Sequence, residues 1–252
     1  MQLTVLGTGT CVPSLKRGSP ANFLKIGGRN VLVDCGPGTT MQLERAKIDY
    51  KTIDIIFITH CHNDHMCDLN SIIHAMNFTP GFDRKKPLIL VGAPGFRRVY
   101  ETMFQPISKK PRPGTYKIIV KEIKGKTIFG HFSVECEKTI HSNTSIAYRF
   151  TEKGKSLVIS GDCSFDRGII ELSKNCNVLL LECSFPNSAK NIVARVGHLI
   201  PDDCGRIAKE ARVKNLVLTH FYPGFSETER LRDTKKIFKN TILAKDFMKI
   251  EI

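Results

Sequence analysis

Short apolar runs rich in valine and isoleucine recur along the whole chain, at residues 3–6, 31–33, 53–58, 88–91, 117–120, 157–159, 178–181 and 216–218. Each has strand length, and each meets Gly, Pro, Asp or His within a few residues, as buried strands do at their ends. Two stretches between them have helical spacing. Residues 68–76 place Leu69, Ile72, Ile73 and Met76 at i, i+3, i+4 and i+7, one apolar stripe on a 3.6-residue turn. Residues 202–211 open with Asp202 and Asp203, charges suited to a helix N-terminus, and turn Ile207 and Ala211 inward. Strands outnumber helices and both kinds run from end to end, so the pattern predicts a layered α/β or α+β domain. No repeat, low-complexity tract or linker divides the 252 residues. The segment Lys109-Lys110-Pro111-Arg112-Pro113-Gly114 reads as an exposed loop within a single domain spanning 1–252.

Composition narrows the class. With 41% apolar and 25% charged residues, the chain can bury a sizeable core, which excludes a disordered, collagen-like or disulfide-stapled polypeptide. No apolar run approaches the ~18 residues of a membrane span. Met1-Gln2-Leu3 carries no basic leader, so no signal peptide is expected. Nine cysteines without a C-x-x-C pair read as reduced thiols in a cytoplasmic protein. The net charge of +14 is uneven: between residues 84 and 126, twelve Lys and Arg face only Glu101 and Glu122, a local +10. Such a field draws polyanions, although the same run also reads as a solvated lysine-rich surface. Phe78, Phe82, Phe96 and Phe104 border it, where they would stack bases or, for most of them, pack in the core. Oligomeric state stays open, a homodimer included.

The chemistry lies at the ends of the strands. Residues 53–59 run into His60-Cys61-His62-Asn63-Asp64-His65, residues 133–140 into His141, residues 157–161 into Asp162, and residues 216–219 into His220. Strand ends on one sheet edge converge, and α/β proteins build sites there. In an extended stretch His60 and His62 project to the same side and can grip one ion. Beyond the turn, Asp64 and His65 can hold a second. Imidazole and carboxylate ligands suit Zn²⁺, and also Mn²⁺ or Fe²⁺. Two cations about 3.5–4 Å apart need a bridging carboxylate. Asp162, on a Gly-Asp turn, is the candidate, with His141 completing the first set and His220 the second. Asp34, after a buried strand, reads as an acid that hydrogen-bonds a ligand. His74, His131, Cys61 and Cys163 read as structural, and Thr8-Gly9 forms no nucleotide-binding glycine motif.

These residues carry a resemblance. From Leu6-Gly7-Thr8-Gly9-Thr10 and Pro13-Ser14 through Leu32-Val33-Asp34-Cys35-Gly36-Pro37-Gly38, the H-x-H-x-D-H segment, His141 and Ser160-Gly161-Asp162, the sequence resembles the metallo-β-lactamase superfamily. Gly197-His198, residues 207–211 and Leu218-Thr219-His220-Phe221 extend the match to the ribonuclease Z group. The resemblance implies an αββα sandwich, two mixed β-sheets with helices on the outer faces. It implies a dinuclear site holding two divalent ions, with a hydroxide between them as the nucleophile. His60, His62 and His141 would bind one ion, Asp64, His65 and His220 the other, and Asp162 both. Asp64 would also orient the nucleophile. His198 would be the general acid near the leaving group, and Glu182, in Leu181-Glu182-Cys183-Ser184, would orient it. Group members with a tRNA-clamping arm carry it between the counterparts of His141 and Asp162. Here twenty residues separate them, so the arm is absent, and the 84–126 segment is either its substitute as an RNA-binding surface or only a solvated surface.

The expectation is therefore a metal-dependent hydrolase cleaving a phosphodiester, in the manner of an RNA 3′-end processing endonuclease. A small-molecule hydrolase on the same site (cyclic nucleotide phosphodiesterase, aryl sulfatase or lactonase) is the alternative. A non-catalytic nucleic-acid-binding protein is the third.

Overall fold

The computed structural model describes residues 1–106 and 116–252. Lys109, Lys110 and Arg112, the exposed loop of the sequence reading, lie outside the described residues. Among those described, fourteen strands form two seven-stranded sheets. The first sheet contains β1 (Gln2–Gly7), β2 (Ala21–Ile26), β3 (Arg29–Cys35), β4 (Ile55–Phe57), β5 (Leu88–Gly92) and β6 (Ile118–Glu122), with the C-terminal β14 (Lys249–Glu251) on the edge beside β1. The second runs β13 (Thr241–Leu243), β12 (Asn215–Thr219), β11 (Val178–Glu182), β10 (Lys155–Ile159), β9 (Ile146–Glu152), β8 (Phe132–Lys138) and β7 (Gly125–Phe129). Both are mixed. β3 to β6 are parallel, as are β10 to β13, while the remaining pairs are antiparallel.

Alternation along the strands explains the layering. Val31 and Val33, Ile55 and Phe57, Tyr148 and Phe150, and Leu157 and Ile159 all point between the sheets into one core. The intervening Leu32, Ile56 and Leu90 pack on helices α1 (Thr39–Arg45), α3 (Leu69–Phe78) and α4 (Phe96–Val99). On the other side Val158, Leu179 and Leu181 pack on α5 (Arg167–Ser173) and α7 (Pro201–Glu210). Strands with two buried faces need helices over both sheets, and the result is the αββα sandwich. The predicted stripe Leu69, Ile72, Ile73 and Met76 is the buried face of α3.

Two differences from the sequence reading have local causes. The 53–58 run is a strand only over Ile55–Phe57, because residues 50–52 form a helical turn capped by Asp49. At the other end Thr59 gives its N–H to the Asp34 carboxylate (2.8 Å) instead of a ladder partner. The chain thus leaves the sheet just before His60. The residues between His141 and Asp162 form the β9–β10 hairpin, with no further element between the two ligands. No helix among the described residues is long and apolar enough to cross a membrane.

Candidate metal centre

β4, β8, β10 and β12 all end on one edge of the sandwich, and their following residues meet there. His62 caps the one-turn helix α2 (Asn63–Met66), which carries Asp64 and His65. Gly161 turns the chain after β10 with φ +59°, and a Cβ there would lie 2.6 Å from the Thr59 side chain. Only glycine fits, and it delivers Asp162 to the seam between the sheets.

The seven predicted ligands form two groups joined at Asp162. Asp162 Oδ2 faces His60 Nε2 (3.8 Å) and His141 Nε2 (3.6 Å). Its Oδ1 faces His65 Nε2 and His220 Nε2, both at 3.3 Å. Asp64 Oδ2 lies 3.7 Å from each of those two nitrogens, and His62 Nδ1 is 3.0 Å from His141 Nε2. Candidate ligand atoms of His60, His62 and His141 lie within 4.8 Å of one another, as do those of Asp64, His65, Asp162 and His220.

A network behind the imidazoles fixes which nitrogen each presents. His65 Nδ1–H donates to Asp34 Oδ2 (2.7 Å), and His141 Nδ1–H to the Gly197 carbonyl (2.9 Å). Thr59 Oγ1 gives its one proton to Asp34 Oδ2, so it accepts from His60 Nδ1–H (3.2 Å). Ser184 Oγ donates to Glu182 Oε2 (2.5 Å) and so accepts from His220 Nδ1–H (2.8 Å). All four rings therefore turn Nε2 inward. The Nε2 atoms of His60, His65 and His220, with Asp162 Oδ1, are buried and have no hydrogen-bond partner. Each such orphan costs about 1–3 kcal/mol, so four of them at one point mark a shared ligand. Two donors on one tetrahedral ion at ~2.1 Å sit about 3.4 Å apart, close to the separations found here. The donor set fits a divalent metal.

Electrostatics divides the rings. Burial, with His65 adjacent, holds the His60 pKa far below the usual imidazole range. Burial also lowers His141, outweighing the pull of Asp162. For His65 burial is opposed and outweighed by Asp162 and Asp34, and its pKa stands well above the usual value. The Asp162 carboxyl resists burial's upward push because His220, His65 and His60 surround it, and its pKa lies well below normal. Asp64 is lowered too, burial being overcome by His220 and His65.

His198 stands beside this cluster, its Nδ1 2.8 Å from Glu182 Oε1 and 4.0 Å from Asp162 Oδ2. Burial would lower its pKa, but the Glu182 carboxylate dominates and pushes it up to about 9. Glu182 is 1% exposed and fully engaged, accepting also from the backbone N–H groups of Cys163 and Leu199. Of the residues read as structural, His74 packs against Phe78 along α3 with the rings tilted by 35°, His131 lies on the β7–β8 turn, and neither they nor Cys61 or Cys163 join a candidate ligand group. Asp34 holds His65 and is no member of the ligand groups.

Sequence reasoning missed Thr59, Ser184 and Arg230. Ser184 was legible, since it lies two residues beyond Glu182 at the end of β11. Arg230 was not. It is fully buried on α8 (Glu227–Ile237) in a string of charged residues that reads as solvated. Of the four phenylalanines weighed as base stackers, Phe96 and Phe104 are core residues, and none makes a ring contact with a site imidazole among the described residues. The described part of the 84–126 segment is divided. Arg84 precedes β5, at the edge opposite the cluster, and is buried on the carbonyls of Lys51, Lys86 and Pro87. Lys124 lies at the cluster's edge, where with Ala93, Pro94, Lys138 and Asn143 it lines a cleft of about 410 Å³.

Residues 29–221 match the beta-lactamase superfamily domain. The chain belongs to the beta-lactamase superfamily. Among superfamily members it is similar to ribonuclease Z of Archaeoglobus fulgidus, at 28% identity over all of this chain and 97% of that one. That alignment is 305 positions long against 252 residues, so it opens gaps in this chain. The short form of human tRNase Z superposes with a TM-score of 0.83 at 28% identity, covering 100% of this chain and 99% of that one. The metallo-beta-lactamase fold protein YhfI of Bacillus subtilis superposes with a TM-score of 0.84 at 24% identity, covering 99% of both. Its likeness is one of fold.

Proposed function

We propose that this chain is a metal-dependent phosphodiesterase of the ribonuclease Z kind, cleaving RNA as a single cytoplasmic domain. The observation that carries the reading is the split carboxylate of Asp162, one oxygen toward each histidine group, beside a His198–Glu182 pair. In the proposed site His60, His62 and His141 would hold one divalent ion and Asp64, His65 and His220 a second, Asp162 would serve both, and zinc would be the best match to the donors. Bound there, the ions would supply Lewis acidity, lowering a water's pKa toward neutrality and absorbing charge on the phosphate.

The protein's own groups do the rest. Asp64 accepts a hydrogen bond from the attacking water and aims it. Glu182 holds the Nδ1–H of His198, fixing the ring and keeping it protonated at neutral pH. His198 Nε2–H then faces the leaving oxygen and gives it a proton as the bond breaks. Lys124 and Lys138, which line the cleft with Asn143, would offer charge to an RNA backbone there.

One feature favours the small-molecule reading: the β9–β10 hairpin stands alone where a clamping arm would be. A panel of 3′-extended tRNA, unstructured RNA, a cyclic nucleotide, an aryl sulfate and bis-p-nitrophenyl phosphate separates the two. RNA cleavage at least tenfold more efficient than that of the small esters is expected. Turnover of the cyclic nucleotide with RNA left intact would replace the proposal.

A further inference from the structure

A group of aromatic rings flanks the cluster and takes no part in the reaction described above. Phe185 and Tyr222 are stacked, centroids 4.8 Å apart with planes at 25°. Phe225 meets Phe185 edge-on at 5.8 Å. The inner rings reach the site: Phe185 lies 5.8 Å and Tyr222 6.0 Å from the His198 ring, and Tyr222 lies 6.1 Å from His220. The outer ring, Phe225, is 40% exposed. Together the three rings make one contiguous aromatic patch running from the His198 ring outward to solvent.

The rings are held, not merely adjacent. Arg230, fully buried, donates through one nitrogen to the carbonyls of Cys183 (3.2 Å) and Ser184 (2.6 Å). Through the other it reaches those of Tyr222 (3.4 Å) and Phe225 (3.3 Å). It thus ties the segment that bears Phe185 to the loop that bears Tyr222 and Phe225. A platform fixed before binding loses little entropy when a flat ligand lands on it.

We propose that Phe185, Tyr222 and Phe225 form a subsite that stacks a nucleobase, the base of the nucleotide carrying the leaving oxygen. The side is set by His198, which adjoins the platform and protonates that oxygen. The proposal rests on the phosphodiesterase reading and adds to it the place where one base of the substrate is held. The platform has few polar atoms; the Tyr222 hydroxyl meets Cys11 Sγ at 3.5 Å. Stacking without an array of edge contacts accepts any base.

The test uses the full-length, metal-loaded protein and three dinucleoside monophosphates: one intact, one lacking the leaving-side base and one lacking the other base. For the parent, loss of the leaving-side base should raise KM about 5- to 100-fold. In Phe225→Ala that penalty should fall below twofold, and Phe225→Tyr should restore it. A penalty that is the same in parent and variant, or that tracks the other base, overturns the proposal. Quenching of 2-aminopurine ribonucleoside 5′-phosphate is the independent readout. Quenching by the parent and not by Phe225→Ala supports the platform even if no phosphodiester is cleaved. Cleavage with equal quenching by both proteins overturns the platform and leaves the phosphodiesterase reading standing.

Discussion

The two halves of the candidate centre are built from different materials. The half around His65 and His220 is buried throughout and contains Asp64 and the near oxygen of Asp162, with Asp34 directly behind His65. The half around His60 and His141 consists of imidazoles, has the exposed His62 at its rim, and is anchored by a hydroxyl and a carbonyl. Charge accounts for the contrast in proton affinity. Carboxylates raise His65 despite its burial, whereas His60 and His141, with burial dominant, are lowered. In the proposed assignment the rim ion would have Asp162 as its one carboxylate, whereas the deep ion would have Asp64 as well and would be held the more strongly. The proposed centre is asymmetric by construction.

Removing the shared ligand should have the largest effect. Asp162→Ala is expected to lose bound metal and nearly all turnover, because adjacent cations without a common carboxylate repel one another. Metal content per chain checks this; one ion retained in the mutant would show that the halves load independently. His198 belongs to neither half in the proposed assignment. His198→Ala should keep both ions yet lose roughly 10²–10⁴ in rate on alkoxide leaving groups, with a smaller deficit for p-nitrophenolate. Loss of metal would move His198 into the ligand set, and an equal deficit on both substrates would make it a positioning group.

The third test acts first on the deep half, since Asp34 touches His65 directly and reaches His60 only through Thr59. Asp34→Asn should weaken one of the two ions about 10- to 100-fold and the other less. The shifts set the sign of the pH effect. His65, raised, carries an extra proton at neutral pH that a cation must displace, so deep-half affinity should climb as pH rises. His60 and His141, lowered, have no such extra proton to give up, so the rise with pH should be smaller for the rim ion. Calorimetry in buffers of different ionisation enthalpy counts the protons released, and equal counts for both ions would dissolve the distinction.

Much of this architecture was legible because it is local. His60, His62, Asp64 and His65 sit within one turn of chain, and His141, Asp162 and His220 each come after an apolar run whose end can be read. The alternation of Val31, Leu32 and Val33 carries the two buried faces of a sandwich strand. Elements with polar residues were harder. β7 carries Lys126 and pairs only with β8, and β13 and β14 are three residues each, too short to show a period. The aromatic platform was invisible for another reason. Phe185 and Phe225 are far apart in sequence, and the residue that joins them, Arg230, is a charged side chain inside a charged helix. Burial of a guanidinium among carbonyls leaves no mark on hydropathy.

The proposed ligands come from both sheets: His60, His62, Asp64 and His65 from loops of the first, His141, Asp162 and His220 from loops of the second. Direct bonds already cross at that edge, among them Tyr148 Oη to the Ile58 carbonyl (2.8 Å), Ile146 N to the Thr59 carbonyl (2.9 Å) and Phe221 N to the Thr8 carbonyl (2.9 Å). An ion held across the seam would be a crosslink as well as a reagent. It would bind the closed sandwich and not the separated sheets, so its free energy of binding would add to that of folding. Chelation would then act mechanically before it acted chemically. The seam would breathe faster, proteases would enter there first, and metal supply would govern the protein's lifetime in the cell.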